Sequence, residues 1–221
     1  MLFRNAFLSA MDAADLTELS SSMREVALFG GETLCEPGQA IASVYCPSSS
    51  AISTITILSD GRQVETASIG FEGVAGLLPA LTQAPPTTRM IVQIGGGAIA
   101  IEAAAMTHRA SRSASMMALI LRFAQAQTAQ AEQSAACYAM HRLPERLARW
   151  LLTCEDRVDR SRMMLTQDQM GAMAGALRSS VSLIASEFKA KGLISYSRGQ
   201  LVILDRLGLQ DRACKCYSRS A

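Results

Sequence analysis

The side chains of this chain with the clearest chemical bias are cations and hydroxyls gathered toward its C-terminal end. Arg178, Lys189, Lys191 and Arg198 fall in one stretch, with Ser179, Ser180, Ser182 and Ser186 between them. The formal charge of the whole chain is only +2. Residues 1–140 nevertheless hold 7 Lys/Arg against 11 Asp/Glu, a net −4, and residues 141–221 hold 14 against 8, a net +6. Segregated positive charge is the electrostatic footprint of a nucleic-acid-binding module joined to an acidic one. A basic surface with no partner would carry the same imbalance.

Other chemistries find little support. The chain has no GxSxG, P-loop, strand-led GxGxxG or HExxH pattern, so no enzymatic activity is expected. Gly95-Gly96-Gly97 lacks the Lys-Ser/Thr of a phosphate cradle and reads as a turn between strands. His108 and His141 are the two histidines, and each reads as a surface or locally satisfied residue; haem ligation is not expected. Six cysteines (Cys35, Cys46, Cys137, Cys154, Cys214 and Cys216) form no CxxC pair and lie at no zinc-type spacing from a histidine. They read as reduced thiols, with Cys214 and Cys216 either an exposed redox pair or tail residues of no consequence. No metal and no cofactor are expected. The methionines read as core filler at helical spacing. Residues 1–10 lack the pattern of a secretory signal. The most apolar stretch, 98–106, is short and interrupted by Glu102, so no membrane partner is expected and the location expected is cytoplasmic.

The elements that must position these residues are legible in outline. Residues 5–21 carry helical apolar spacing at Phe7, Leu8, Met11, Leu16 and Leu19. From residue 24 to residue 101 short β-like runs alternate with turn signals, which implies a sandwich or small barrel. Asp60-Gly61 is the clearest hairpin signal. Residues 111–140 contain neither Pro nor Gly and predict one long helix. Its positions Met117, Leu121, Ala124, Thr128, Ala131, Ala135 and Tyr138 alternate spacings of four and three, as in the seam of a paired helix. A helix lying on its own barrel would show the same stripe. Pro144 opens another amphipathic segment with Leu147, Trp150, Leu151 and Cys154 on one face.

Thr166 followed by Gln169 is a capping box, so a helix should start there. Gly175, Ala176 and Leu177 form a short turn, and a second helix follows with Val181, Ile184, Ala185 and Phe188 inward and Gly192 at its end. Two helices around a tight turn are a helix-turn-helix. The alternation around Ser197-Arg198-Gly199 reads as a two-stranded wing.

The stretch LTQDQMGAMAGALRSSVSLIASEFKAKGLISYSRGQLVILD resembles the winged helix-turn-helix of the Crp/Fnr family of bacterial transcription regulators, and RLPERLARWLL resembles the segment that precedes it. EPGQAIASVYCP and DGRQVETASIGFEGVAG resemble that family's β-roll sensor domain. The resemblance runs over nearly the whole chain. It implies an α+β protein: a cyclic-nucleotide-binding-like β-roll (a cupin-like jelly roll) over 1–110, a dimerisation helix over 111–140 and a winged helix-turn-helix over 141–221. It also implies a homodimer that binds double-stranded DNA at an inverted repeat. RNA polymerase and an unidentified small-molecule effector are the further partners it allows. A regulatory or interaction module that kept the fold and lost specific DNA binding is the alternative.

By the same resemblance the recognition helix is 178–190. Arg178 would read a base; Ser179, Ser180, Ser182 and Ser186 would add shorter contacts, and Lys189 and Arg198 would hold phosphate. Where family members carry Arg-Glu-x-x-x-Arg, this chain has Ser179 and Leu183 at the Glu and second Arg. The cyclic-nucleotide signature is eroded too. Glu72 is shifted by one, the phosphate-arginine slot falls near Pro86-Thr87, and Arg89 is the one nearby cation, so Glu72, Thr87 and Arg89 form at most a remnant effector pocket and cyclic AMP is not expected to bind.

Overall fold

The structure, a computed structural model, describes residues 4–159 and 161–217. Two short helices, α1 (Ala6–Ser9) and α2 (Ala13–Leu19), and a 3-10 turn (Ser20–Ser22) lead into β1 (Met23–Leu28), β2 (Thr33–Cys35), β3 (Ser43–Pro47), β4 (Ala51–Ile57) and β5 (Gln63–Ile69). A helix α3 (Leu77–Thr82) precedes β6 (Arg89–Ile94) and β7 (Gly96–Glu102). Helices α4 (Ala103–Ala110), α5 (Ala114–Met140) and α6 (Leu143–Val158) follow. The C-terminal part adds β8 (Arg162–Met164), α7 (Gln167–Ala174), α8 (Arg178–Ala190), β9 (Ile194–Ser197), β10 (Gln200–Ile203) and α9 (Arg206–Arg212).

The N-terminal strands pair antiparallel in two sheets, β1-β7-β3 and β2-β6-β4-β5, and β8-β10-β9 forms a third. The β4–β5 hairpin turns where Asp60-Gly61 predicts it, with Gly61 at φ 83°. Of the Gly95-Gly96-Gly97 run, Gly95 alone links β6 to β7, as the sequence reading of a turn between strands has it; Gly96 and Gly97 are already the first residues of β7, and a Cβ on Gly96 would run into the backbone of Ser49. These glycines let a loop press onto the central strand of the sheet.

Phe7, Leu8, Met11 and Leu19 from the N-terminal helices share a buried cluster with Val44, Leu77, Met106 and Ile120, so they are part of the core beside the long helix. Phe7 meets Phe123 of α5 edge-on, ring centroids 5.6 Å apart. Buried Asp15 accepts from Arg109 Nε (2.6 Å) and Ser113 Oγ (3.1 Å), tying α2 to both ends of the α4–α5 junction.

A second cluster joins the N-terminal sheet to the C-terminal part. Ala51, Ile55 and Ile94 pack with Leu147, Trp150, Leu151 and Cys154 of α6, and the same cluster continues through α7, α8 and the wing. Within this contact lie charged groups. The buried Glu65 carboxylate accepts from Ser53 Oγ (2.5 Å), Trp150 Nε1 (3.1 Å) and Gln93 Nε2 (3.4 Å). Buried Arg157 donates to Ser68 Oγ and, through Nε, to Glu72 Oε1 at 2.7 Å. Gly70 is required here, since a Cβ there would strike the Arg157 side chain. The orientation of the helix-turn-helix against the sheet is therefore set by apolar contact and by buried polar pairs that must be satisfied together.

Candidate nucleic-acid interface

Helix α7 starts at Thr166, whose Oγ1 accepts from Gln169 N (3.2 Å) while the Gln169 side chain accepts from Thr166 N (2.8 Å). It ends at Gly175, at φ 59°, where a left-handed residue turns the chain. Gly171 lets the helices close up: a Cβ there would come to 3.0 Å from Ala176 O. Helix α8 buries Val181, Ile184, Ala185 and Phe188, the stripe its spacing predicts, and the chain leaves it through Gly192 at φ 70°. In the wing, β9 and β10 are joined by Arg198 and Gly199, both at positive φ (51° and 78°), the geometry of a tight two-residue hairpin.

This packing sorts the candidate residues. Arg178 stands exposed at the first position of α8, with Nη1 at 3.2 Å from Asp168 Oδ2. Ser179 and Ser186 are exposed, and Ser180 and Ser182 are half-buried. Ser182 Oγ accepts from Gln167 Nε2 (3.1 Å), and Ser186 Oγ donates to its own helix at Ser182 O (2.9 Å). Lys189 is exposed and donates to Tyr196 O of the wing (3.3 Å). Arg198 projects at the wing turn, exposed. Six of the seven thus lie on α8 and Arg198 on the wing turn, with Lys189 linking the helix to the wing through Tyr196 O. Sequence reasoning missed Asp168 and Gln167, whose place at the start of α7 brings them against Arg178 and Ser182. It also gave no role to Leu183, 74% exposed in the middle of the helix.

One neighbour has no signal in the sequence. The β4–β5 hairpin and the helix-turn-helix enclose a cleft of about 370 Å³, lined by Leu58, Arg62, Asp168, Ala176, Leu177 and Arg178. The start of α8 faces the N-terminal sheet in this arrangement.

The long-helix positions divide. Met117, Leu121, Thr128, Ala131 and Ala135 are exposed and Ala124 half-buried, whereas the face packed inward is made by Met116, Leu119, Ile120 and Cys137. Tyr138 leaves the seam. Its hydroxyl donates to Met173 O (2.6 Å) and Glu65 O (3.3 Å), and its ring lies against Gly175. Burial, then the nearby Glu65 carboxylate, pushes its phenol up, so it stays a protonated donor.

The effector-pocket residues are engaged elsewhere. Glu72 is taken by Arg157 and accepts from Gly70 N (3.0 Å); Arg89 Nε pairs with Glu36 at 2.9 Å; Thr87 is exposed beside buried Pro86. A ribose or phosphate would have to displace two ion pairs to use them. Burial lifts the Glu65 carboxyl from 4.5 to about 7, a rise only partly opposed by the Ser53 hydroxyl, the Arg157 charge and the Trp150 N–H. Among the described residues no helix is long and apolar enough to cross a membrane.

The model of the Crp-like helix-turn-helix domain matches residues 145–212. Solved structures match over most of the chain. A CRP-family transcriptional regulator from Thermus thermophilus superposes with TM-score 0.73 at 19% identity, over 89% of this chain and all of that one. FixK2 from Bradyrhizobium japonicum gives 0.71 at 19% identity, over 87% and 98%. The c-di-GMP-responsive global regulator CLP of Xanthomonas campestris gives 0.68 at 13%, over 87% and 99%. No curated protein sequence matches the chain. A β-sheet domain, a long helix and a Crp-like helix-turn-helix in this order give the chain the fold of these transcription regulators, with a Crp-like helix-turn-helix domain over 145–212.

Proposed function

We propose that this protein is a sequence-specific DNA-binding transcription regulator that acts as a homodimer. The observation that carries the reading is the surface made by α8 and the wing: Arg178, Lys189 and Arg198 flank exposed hydroxyls on a helix whose opposite face is fully committed to the core. Helix α8 enters the major groove, Arg178 and the serines approach base edges, and Lys189 and Arg198 hold phosphate. Leu183 offers an apolar contact of the kind that suits a thymine methyl group. Two subunits pair along the exposed positions of α5 and read an inverted repeat. The functional division is a sensor over 1–110, a pairing helix over 111–140 and a DNA-binding unit over 141–221.

The sensor does not use cyclic AMP. Burying a phosphate without an arginine partner costs several kcal/mol, roughly, and Glu72 is already neutralised by Arg157. Calorimetry with cyclic AMP should give no binding at micromolar concentrations. The DNA reading is tested by gel-shift titration against the upstream intergenic DNA of the protein's own gene at several salt concentrations. Retardation of one inverted repeat at salt that abolishes binding to a scrambled duplex supports it; equal, salt-sensitive affinity for both, or none for either, refutes it in favour of a module without specific DNA binding.

A further inference from the structure

The fold brings together four side chains from distant parts of the chain. Cys137 is in the last turn of α5 and His141 is that helix's C-cap, four residues on, so both point the same way. Cys214 and Cys216 lie just past α9. Cys137 Sγ and Cys214 Sγ are 3.4 Å apart, Cys216 Sγ is 3.7 Å from His141 Nδ1, and all four ligand atoms lie within 4.8 Å of one another. Cys137 and Cys214 are buried, and His141 and Cys216 are half-buried. The sequence reading of Cys214 and Cys216 as an exposed pair or an idle tail is thereby corrected for Cys214, which is 5% exposed.

We propose that Cys137, His141, Cys214 and Cys216 form a binding site for a zinc-class divalent cation. Three soft thiolates and one imidazole, converging within the reach of a single ion, are the ligand set that selects such a cation in tetrahedral coordination. Zinc–sulfur bonds of about 2.3 Å in a tetrahedron put neighbouring ligand atoms ~3.8 Å apart, close to the two separations observed. A two-thiol redox pair would account for Cys137 and Cys214 alone. It gives no reason for a histidine and a third cysteine to converge on them.

The surroundings hold the ligands in place. Cys214 N donates to Glu145 O (3.4 Å) and Tyr217 N to Cys214 O (3.0 Å). The Tyr217 hydroxyl is held by Arg206 Nη2 and Asp156 Oδ2, each at 2.6 Å. The tail is thus anchored on α6 and α9 on one side of the ligands and meets the end of α5 on the other. A bound cation bolts the C-terminal end of the pairing helix to the far end of the DNA-binding unit. It is structural in character, since four protein ligands leave no open position for chemistry.

The test uses full-length protein kept reduced throughout. Elemental analysis should find about one zinc per chain, or the metal-free protein should take up one Co²⁺ per chain with the intense thiolate-to-cobalt absorption of a tetrahedral site, discharged by added Zn²⁺. Cys137→Ser and Cys214→Ser alter buried positions and can fail for packing reasons. The deciding variants are therefore His141→Ala and Cys216→Ser, both at half-buried positions, with folding checked by circular dichroism. Each should weaken Co²⁺ binding by more than about tenfold, the least that loss of even a supporting contact costs a metal site. Cys35→Ser, elsewhere in the fold, should leave it unchanged. A weak spectrum without the thiolate band, or unaltered affinity in either folded variant, overturns the site. Because the readout is metal uptake and not DNA retention, failure here leaves the DNA-binding reading untouched.

Discussion

The Arg157 guanidinium donates through Nε to Glu72 Oε1 at 2.7 Å, and this pair joins α6, the first helix of the Crp-like helix-turn-helix domain, to the loop after β5 of the N-terminal sheet. Arg157 is almost wholly buried, its side chain 4% exposed against 26% for Glu72. Removing the cation strands a carboxylate with an oxygen already lacking a partner, Glu72 Oε2. Breaking one side of a buried pair costs about 3–5 kcal/mol. Arg157→Ala should lower the unfolding free energy, read from denaturant titrations, by an amount in that range. Glu72→Gln should also destabilise, since it leaves the almost wholly buried Arg157 cation without its carboxylate. Equal, sub-kilocalorie losses in both would mean that the contact between the two parts is held by apolar packing alone.

Stability should also depend on pH through Glu65. In the unfolded chain this carboxyl titrates near its ordinary 4.5, whereas in the folded protein burial holds it at about 7. Between those values the folded state keeps a proton that the unfolded state has released, so stability falls as pH rises. Its contribution is fully present below about pH 4.5 and lost as pH passes through about 7. Glu65→Gln cannot ionise and keeps an acceptor for Trp150. Its stability relative to the parent protein should increase from pH 5 to pH 8, read from paired denaturant titrations. A difference between the two proteins that stays constant across that window would sink the assignment.

How far the sequence reveals this arrangement differs from element to element. The helix-turn-helix is legible because local chemistry specifies it: Thr166 and Gln169 cap each other three residues apart, and a residue at positive φ closes each helix. The long helix is legible from the absence of breakers, but its faces are not. An a/d stripe runs through Met117 to Tyr138, yet the fold turns Tyr138 inward to serve Met173 and Glu65, residues 35 and 73 positions away. Helices α3 and α4 leave no clear sequence signal, since each is short and lies inside or beside an apolar run that strands can use equally well. The Cys137, His141, Cys214 and Cys216 cluster hides for a different reason. Its two halves have the spacings C-x3-H and C-x-C, neither of which is diagnostic, and only the packing of α5 against the tail after α9 unites them.

The exposed positions of α5 lead to a prediction on assembly. Leu121 is 62% exposed and Met117 37% in the single chain, beside the small residues Ala131 and Ala135. Small side chains admit a partner backbone, and large apolar ones reward burial. Ala131→Glu places like charges opposite each other in the paired seam while touching nothing in the monomer, so it should weaken association and spare folding. Sedimentation equilibrium at matched concentrations reads the difference. If that variant remains the same dimer, α5 is not the interface.

Arg178 and Arg198 are both exposed arginines of the proposed DNA surface, yet their positions call for different mutant behaviour. Arg178 opens α8, where a side chain reaches base edges, and a guanidinium there can pair bidentately with guanine O6 and N7. In the free protein it rests 3.2 Å from Asp168, an exposed pair worth at most about 1 kcal/mol and therefore easily exchanged for DNA. Arg198 sits exposed on the two-residue wing turn, away from the start of α8. Arg178→Ala should cost about 1–3 kcal/mol on the operator and relax preference at one base pair per half-site, whereas Arg198→Ala should weaken all sequences alike and reduce the salt slope by about 1. Asp168→Asn frees Arg178 and removes a negative charge from the surface, so it should raise affinity for any duplex without changing which sequence is preferred. Binding isotherms on the operator and on each single-base variant separate the three. Should Arg178→Ala and Arg198→Ala lose the same affinity on every sequence, Arg178 holds only the backbone, and discrimination must then come from the serines, from Leu183 or from the shape of the DNA.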